Sequence, residues 1–510
     1  MQTHFLFDIM RGLAPYEQIV AQAAQPGAVI AASGLAGAQK LHLACALAQE
    51  TGRPLLLLCD SERAAAAALE DVSAMLGGAV GLFPAREITF YQEVAASREA
   101  ACRRIETLQR LVTGELRAIV APVDALMHRL MPRAAFAAHT LRMGVGDRIG
   151  MDELCARLLA AGYTREYMVE GRGQFSVRGG IVDVYPADAL SAVRVEFFDD
   201  EVDSIRAFDV MSQRSQQNLR DVVIPPSSEA PVPGEDAEAI ARRLLDALRR
   251  QREAFAGGEK QEDGEASLSA LPLEEGEIVV PGAFTGGGRT ADRFAEGVSG
   301  AAEQLRGGVS SRLLEKFIHM LYPQTETIAD YMSRPIVVLD EPEALFARMD
   351  SREGEFTQAL TAALERGEAV REQEGLMLTR AQAVDALRAH TMMAMTTILR
   401  PVRELRPTLL AQMGGMGAGN YGGRTKELCD DVRRCMAEGW RVLVLSGGAA
   451  RGERLRQSLD DEGIRASVDE LGARSPAPGE CRIYPLTLSG GFQYPAAKVM
   501  VIACGDVYGA

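Results

Sequence analysis

Residues 28–59 read AVIAASGLAGAQKLHLACALAQETGRPLLLLC. A short aliphatic run, a glycine-bearing turn, an amphipathic stretch and a second aliphatic run make a strand–helix–strand unit. Runs without polar alternation suit strands covered on both faces, as in a parallel sheet. Reading outward, an Ala-rich helix, VGLFP (80–84), a helix from about Ser97 and AIVAP (118–122) continue the βαβα pattern to about Leu130. PIVVLDEPEAL (335–345) is a further buried-type strand entering a helix, so the first unit resumes after an interruption and is discontinuous.

The interruption begins after Gly146. One helix, Met151 to Ala161, precedes three strand-like segments ending in VRVEFFDDEVDSIRAFDV, which makes an α+β unit, and the turn-rich PPSSEAPVPGED (225–236) leads out of it. Residues 237–256 have helical periodicity, whereas 257–277 are polar and Gly-rich and are expected to form a mobile acidic loop. A third α/β unit is expected from about residue 395, with GGMGAGNYGG (414–423), WRVLVLSGG, CRIYPL and KVMVIACGD. The expected division is 1–145 and 227–392 for the first unit, 146–226 for the second and 393–510 for the third. The last apolar strand ends close to Gly509-Ala510, so the chain is expected to be cut from a longer one.

Composition sets the class. The 510 residues, 47% hydrophobic and 25% charged, suit several globular domains. With 55 basic against 70 acidic side chains the net charge is −15, which disfavours a chain-wide grip on DNA and points to protein partners. No apolar run reaches the roughly 18–20 residues of a membrane span, and the start, MQTHFLFDIMRGL, lacks a secretory pattern, so a cytoplasmic protein without membrane contact is expected. The eight cysteines form no CxxC and share no metal-ligand spacing with the six histidines, so no metal centre is expected.

Two segments resemble nucleotide chemistry. The loop from Gly34 to Leu41 sits between a strand and a helix, where backbone N–H groups cradle phosphates, and Gly34, Gly37 and Lys40 fit such a loop. Gln39 and Leu41 stand where the second glycine and the Mg²⁺-binding hydroxyl belong, so the loop reads as vestigial. The bland alternative, which is preferred, is a turn whose lysine faces solvent. Asp340-Glu341 has the form of a Walker B pair, also vestigial; the preferred alternative is capping of the helix that Pro342 opens. No catalytic residue and no cofactor is assigned to this chain, and no ATPase activity is expected of it.

The most specific strings are GQFSVRGGIVDVYP (173–186) and VRVEFFDDEVDSIRAFD (193–209). They resemble the second domain of UvrB and of bacterial transcription-repair coupling factors. IETLQRLVTGE, IVAPVDALMHRL and VVLDEP extend the likeness over nearly the whole chain, loosely between 230 and 310. UvrB carries an intact Walker A loop and a long tyrosine-rich hairpin. Here Phe90-Tyr91-Gln92-Glu93 runs almost straight into the helix near Ser97, leaving no room for that hairpin, so the likeness is to the coupling factors' UvrB-homologous front half.

The resemblance implies a degenerate UvrB-like, RecA-type parallel-sheet domain, interrupted by an α+β UvrA-binding domain and followed by a third α/β domain. It implies an adaptor that recruits UvrA through Arg178, Arg194 and Phe198, while ATP, Mg²⁺, RNA polymerase and duplex DNA are engaged by an absent C-terminal motor region. Period-2 alternation on VRVEFF independently puts Val193, Val195 and Phe197 on one face and Arg194, Glu196 and Phe198 on the other. The bland alternative makes Phe198 the edge of the core and pairs the arginines with Asp199, Asp200 or Glu201. Rival readings are an active UvrB-like NTPase and a scaffold without partners.

Overall fold

A computed structural model describes residues 4–90, 98–234, 236–262, 288–398, 400, 404–470 and 474–508. The chain first lays down β1 (Val29–Ser33), β2 (Leu55–Cys59), β3 (Val80–Leu82) and β4 (Ala118–Pro122). Helices link them; that of Ala38–Thr51 ends at Gly52, whose φ of 65° supplies the left-handed cap.

The second unit follows with β5 (Leu141–Gly144), β6 (Thr164–Arg165), β7 (Gln174–Arg178), β8 (Ile181–Tyr185), β9 (Ala192–Phe198), β10 (Glu201–Phe208), β11 (Ser215–Leu219) and β12 (Asp221–Ile224). Strands β6 to β11 form one sheet in the order β11-β10-β9-β8-β7-β6, antiparallel except for β6 with β7. Its inner face packs Phe175, Val182, Val184, Val195 and Ile205 against the helix Met151–Ala160. Three strand-like segments were expected here; the sheet has six strands because GQFSVRGGIVDVYP and VRVEFFDDEVDSIRAFDV each fold into a hairpin, and β6 and β11 flank them at the two edges. The pairing of β5 with β12 corrects the boundary as well. Leu141 and Met143 join this unit's core, so residues 141–145 belong to it and not to the first.

Back in the first unit, β13 (Ile336–Asp340), β14 (Thr391–Thr396) and β15 (Leu409–Gln412) complete an all-parallel seven-stranded sheet, β15-β1-β14-β13-β2-β4-β3. The third unit was expected to start at 393, yet β14 and β15 both pair with β1, so the first sheet extends to Gln412. The third sheet comprises β16 (Met416–Gly417), β17 (Arg441–Leu445), β18 (Ala466–Val468), β19 (Cys481–Tyr484), β20 (Phe492–Tyr494) and β21 (Val499–Ile502), ordered β16-β20-β21-β17-β19-β18. The helix expected over 237–256 runs from Ala237 to Glu262, through the start of the expected loop. The rest of that loop, the approach from Tyr91 to Ser97, and Gly509-Ala510 lie outside the described residues.

Units one and three share a core. Phe5 stacks on Tyr484 with ring centroids 3.9 Å apart, and buried Asp71 accepts hydrogen bonds from the Ser489 N–H (2.7 Å) and hydroxyl (2.6 Å). All eight cysteines are free thiols. Among the described residues no helix is long and apolar enough to cross a membrane, and no group of side chains could hold a metal ion.

Candidate functional site

The glycine loop lies where a phosphate cradle would be, at the end of β1, with Gly34 and Gly37 at positive φ (76° and 52°). Its space is filled from within. Gln39 is fully buried; its Oε1 accepts from the Ala36 N–H (3.3 Å) and its Nε2 donates to the Gln493 carbonyl (2.9 Å). A loop donor that would face a phosphate oxygen thus meets a glutamine. From the third unit's side, Gly415 donates to the Gly34 carbonyl (2.8 Å), and a Cβ at Gly415 would fall 2.0 Å from the Gln39 amide. A side chain there would have to push the Gln39 amide out of its two hydrogen bonds.

Lys40 does not face solvent as the bland reading held. It is buried, and its Nζ donates to Asp340 Oδ1 (2.8 Å) and Glu341 Oε1 (2.6 Å). The capping reading of Asp340-Glu341 is corrected too. Glu341 occupies the N-cap position before Pro342, at φ 51°, but its side chain makes no cap bond; it accepts instead from Lys40 and from the Thr397 N–H (2.8 Å) and hydroxyl (2.7 Å). Burial would lower the Lys40 pKa and raise that of Glu341. Asp340 and then Glu341 overcome the first, and Lys40 with the Thr397 hydrogen bonds overcomes the second, leaving Lys40 raised and Glu341 lowered. These contacts make Lys40 a bolt between β13 and the helix Ala38–Thr51.

Replacing Lys40 with Met should destabilise the chain by about 2 kcal/mol, below the 3–5 kcal/mol of a wholly buried broken pair because both carboxylates stay partly solvated. A urea midpoint equal to the parent's would show that the bolt contributes nothing.

The second candidate is the outer face of the β6–β11 sheet. The register places Asp183 opposite both Ser176 and Arg194, so Arg178, Asp183, Arg194 and Phe198 all point outward. Asp183 is 1% exposed. Arg194 grips it with two hydrogen bonds, Nε to Oδ1 (2.7 Å) and NH2 to Oδ2 (2.8 Å), and Arg178 NH2 reaches Oδ2 at 3.3 Å. These bonds hold the Arg194 pKa above its usual value. The Arg194 guanidinium also lies over the Phe208 ring, 4.8 Å from its centroid. Phe198 stands 78% exposed at the end of β9, just before Asp199, whose φ of 59° turns the chain into β10.

The expected face division therefore holds, and the bland alternative fails at both points. Phe198 is not an edge of the core, and the arginines pair with Asp183 rather than with Asp199, Asp200 or Glu201. Sequence reasoning missed Asp183. The signal was there, since an acid amid the aliphatics of IVDVY takes the outward parity that Ile181 and Tyr185 share.

Comparison with known proteins agrees with this geometry. Residues 141–229, which span β5 to β12 and the start of the exit segment, match the UvrB interaction domain family. The chain is 27% identical over 481 residues, 93% of its length, to the transcription-repair-coupling factor of Bacillus subtilis, and 35% identical over 249 residues (47%) to that of Myxococcus xanthus. It is 23% identical over 427 residues (84%) to that of Staphylococcus epidermidis. It spans 38%, 21% and 33% of the lengths of those proteins. The resemblance to coupling factors expected from the sequence is thus shown along almost the entire chain.

Proposed function

We propose that this chain is the UvrA-recruiting part of a transcription-coupled nucleotide-excision repair factor. The observation that carries the reading is the outer face of the second unit. An exposed phenylalanine shares the outward face of the sheet with two arginines fixed by a buried carboxylate, within the segment that matches the UvrB interaction domain. Arginine and aromatic side chains are the residue types most enriched at binding hot spots. In this reading the first and third units are a scaffold without ATP turnover, because Gln39 and Lys40 are committed to internal partners. ATP, Mg²⁺, RNA polymerase and duplex DNA are engaged by other parts of the longer protein, in the cytoplasm.

Titration against UvrA from the same organism tests it. Arg178→Ala and Phe198→Ala should each weaken binding about thirtyfold, the roughly 2 kcal/mol of a central anchor, with the unfolding midpoint unchanged. Arg194→Ala should weaken binding and also lower the midpoint, because it leaves the buried Asp183 charge with only the longer contact to Arg178. Parent-like binding by all three variants would remove this face from the interface.

A further inference from the structure

We infer that the turn between β10 and β11, residues 209–214, is a second wall of the docking face, with Met211 as an additional apolar contact for UvrA. This rests on the docking reading above and adds to it an element outside the Arg178, Arg194 and Phe198 set. The turn is built by its own hydrogen bonds. Asp209 N–H donates to the Arg214 carbonyl (3.1 Å), Gln213 N–H to the Asp209 carbonyl (2.7 Å), Ser212 N–H to Asp209 Oδ1 (2.7 Å) and Gln213 Nε2 to the Val210 carbonyl (2.8 Å). Gln213 accepts a left-handed φ of 58° to close it.

Two contacts fasten the turn to the arginines. Arg178 NH2 donates to Gln213 Oε1 at 3.4 Å. Val210 packs with Val169, Ala192 and Phe208, the last of which lies beneath Arg194. With its base held at both ends, the turn presents Met211 at 90% exposure. A large apolar side chain projecting from an ordered turn beside a cationic pair is a contact awaiting a partner, and the thioether's flexibility suits an adaptable one. The charge balance specifies that partner's surface. Residues 151–221 carry 8 arginines against 13 acids, yet on this face Arg178, Arg194 and Arg206 meet the carboxylates of Asp183 and Glu196, and the turn adds one acid, Asp209, and one base, Arg214. A local positive excess on an acidic unit selects an acidic patch of UvrA with an apolar side chain next to it.

The full chain with Met211→Asp should keep the parent's unfolding midpoint and lose at least tenfold in UvrA affinity. Gln213→Ala, which unties the turn from Arg178 and from the Val210 carbonyl, should lose less. Backbone amides of 209–214 should gain hydrogen-exchange protection in the complex. If Met211→Asp binds like the parent and those amides stay unprotected while Phe198→Ala still weakens binding, the turn lies outside the footprint and the inference falls with the docking face intact. If Arg178→Ala, Arg194→Ala and Phe198→Ala also bind like the parent, the docking reading itself has failed.

Discussion

Glu229→Ala is expected to destabilise the attachment of the second unit by about 3–5 kcal/mol, the cost of leaving a buried charge without its partner. Glu229 lies on the segment leading out of that unit. Its two oxygens take Arg104 Nε (2.5 Å) and NH2 (2.8 Å), both side chains being almost wholly buried. Arg104 comes from the helix Arg98–Val112 of the first unit, donates its NH1 to the Pro84 carbonyl and lies 4.1 Å from the Phe83 ring centroid. Arg86 and Glu315 extend the network, with Arg86 NH1 3.6 Å from Glu315 Oε2. Burial pushes the Glu229 pKa up, and the two arginines more than reverse it, so the carboxyl titrates below its usual value. Its contribution is therefore present above the ordinary glutamate pKa and is lost as pH falls through the lowered one. Limited proteolysis of residues 225–236 reports the detachment. Glu229→Ala should expose that segment strongly, and Arg104→Met combined with Glu229→Leu should expose it less, since no charge is then stranded. Equal resistance of Glu229→Ala and the parent would overturn the assignment.

What could be read from the sequence followed from local periodicity. The parity of VRVEFF settled which side of β9 is core, because a strand's alternation needs no knowledge of its neighbours. The all-apolar runs of β1, β2, β4 and β13 likewise announced a parallel sheet buried on both faces. What escaped were pairings between distant positions. Lys40 meets acids 300 residues later in the chain, so no window of sequence shows its burial. Gln39 looks like a defect in a phosphate loop until Gly415 and Gln493 are seen to close on it. Strand β15, polar at Gln412 and half exposed, gave little sign that it extends the first sheet, since an edge strand has only one partner to satisfy. Asp183 was legible as an outward acid but not as the holder of two arginines, because its partners depend on the register of three strands.

Between pH 6.5 and 4 the junction of the first and third units should weaken through His42. The ring is fully buried; its Nε2 lies 2.9 Å from the Leu6 carbonyl and its Nδ1 3.1 Å from the Tyr494 hydroxyl. A carbonyl can only accept, so Nε2 carries the proton and Nδ1 accepts from the tyrosine, which satisfies the neutral imidazole completely. Phe492 lies 5.0 Å away between centroids. Burial brings the pKa down to about 4, although the bond to Leu6 pulls the other way. In the unfolded chain the ring protonates near 6.5. The unfolded state therefore binds the proton first as pH falls, and stability that is complete above pH 6.5 declines toward pH 4 by about 3 kcal/mol for this residue. Asp188, raised by burial to about 6, acts in the opposite sense over part of the same range, so the parent's profile alone does not isolate the histidine. The difference between parent and His42→Gln does. Trp440 is the sole tryptophan and lies in the third unit, so its fluorescence reports that unit's unfolding in urea. The parent's midpoint should fall more steeply with pH than the variant's between 6.5 and 4, and the two slopes should coincide above 7. Parallel profiles across the whole range would mean that His42 takes up no proton on unfolding and that its buried neutral form carries no pH-dependent stability.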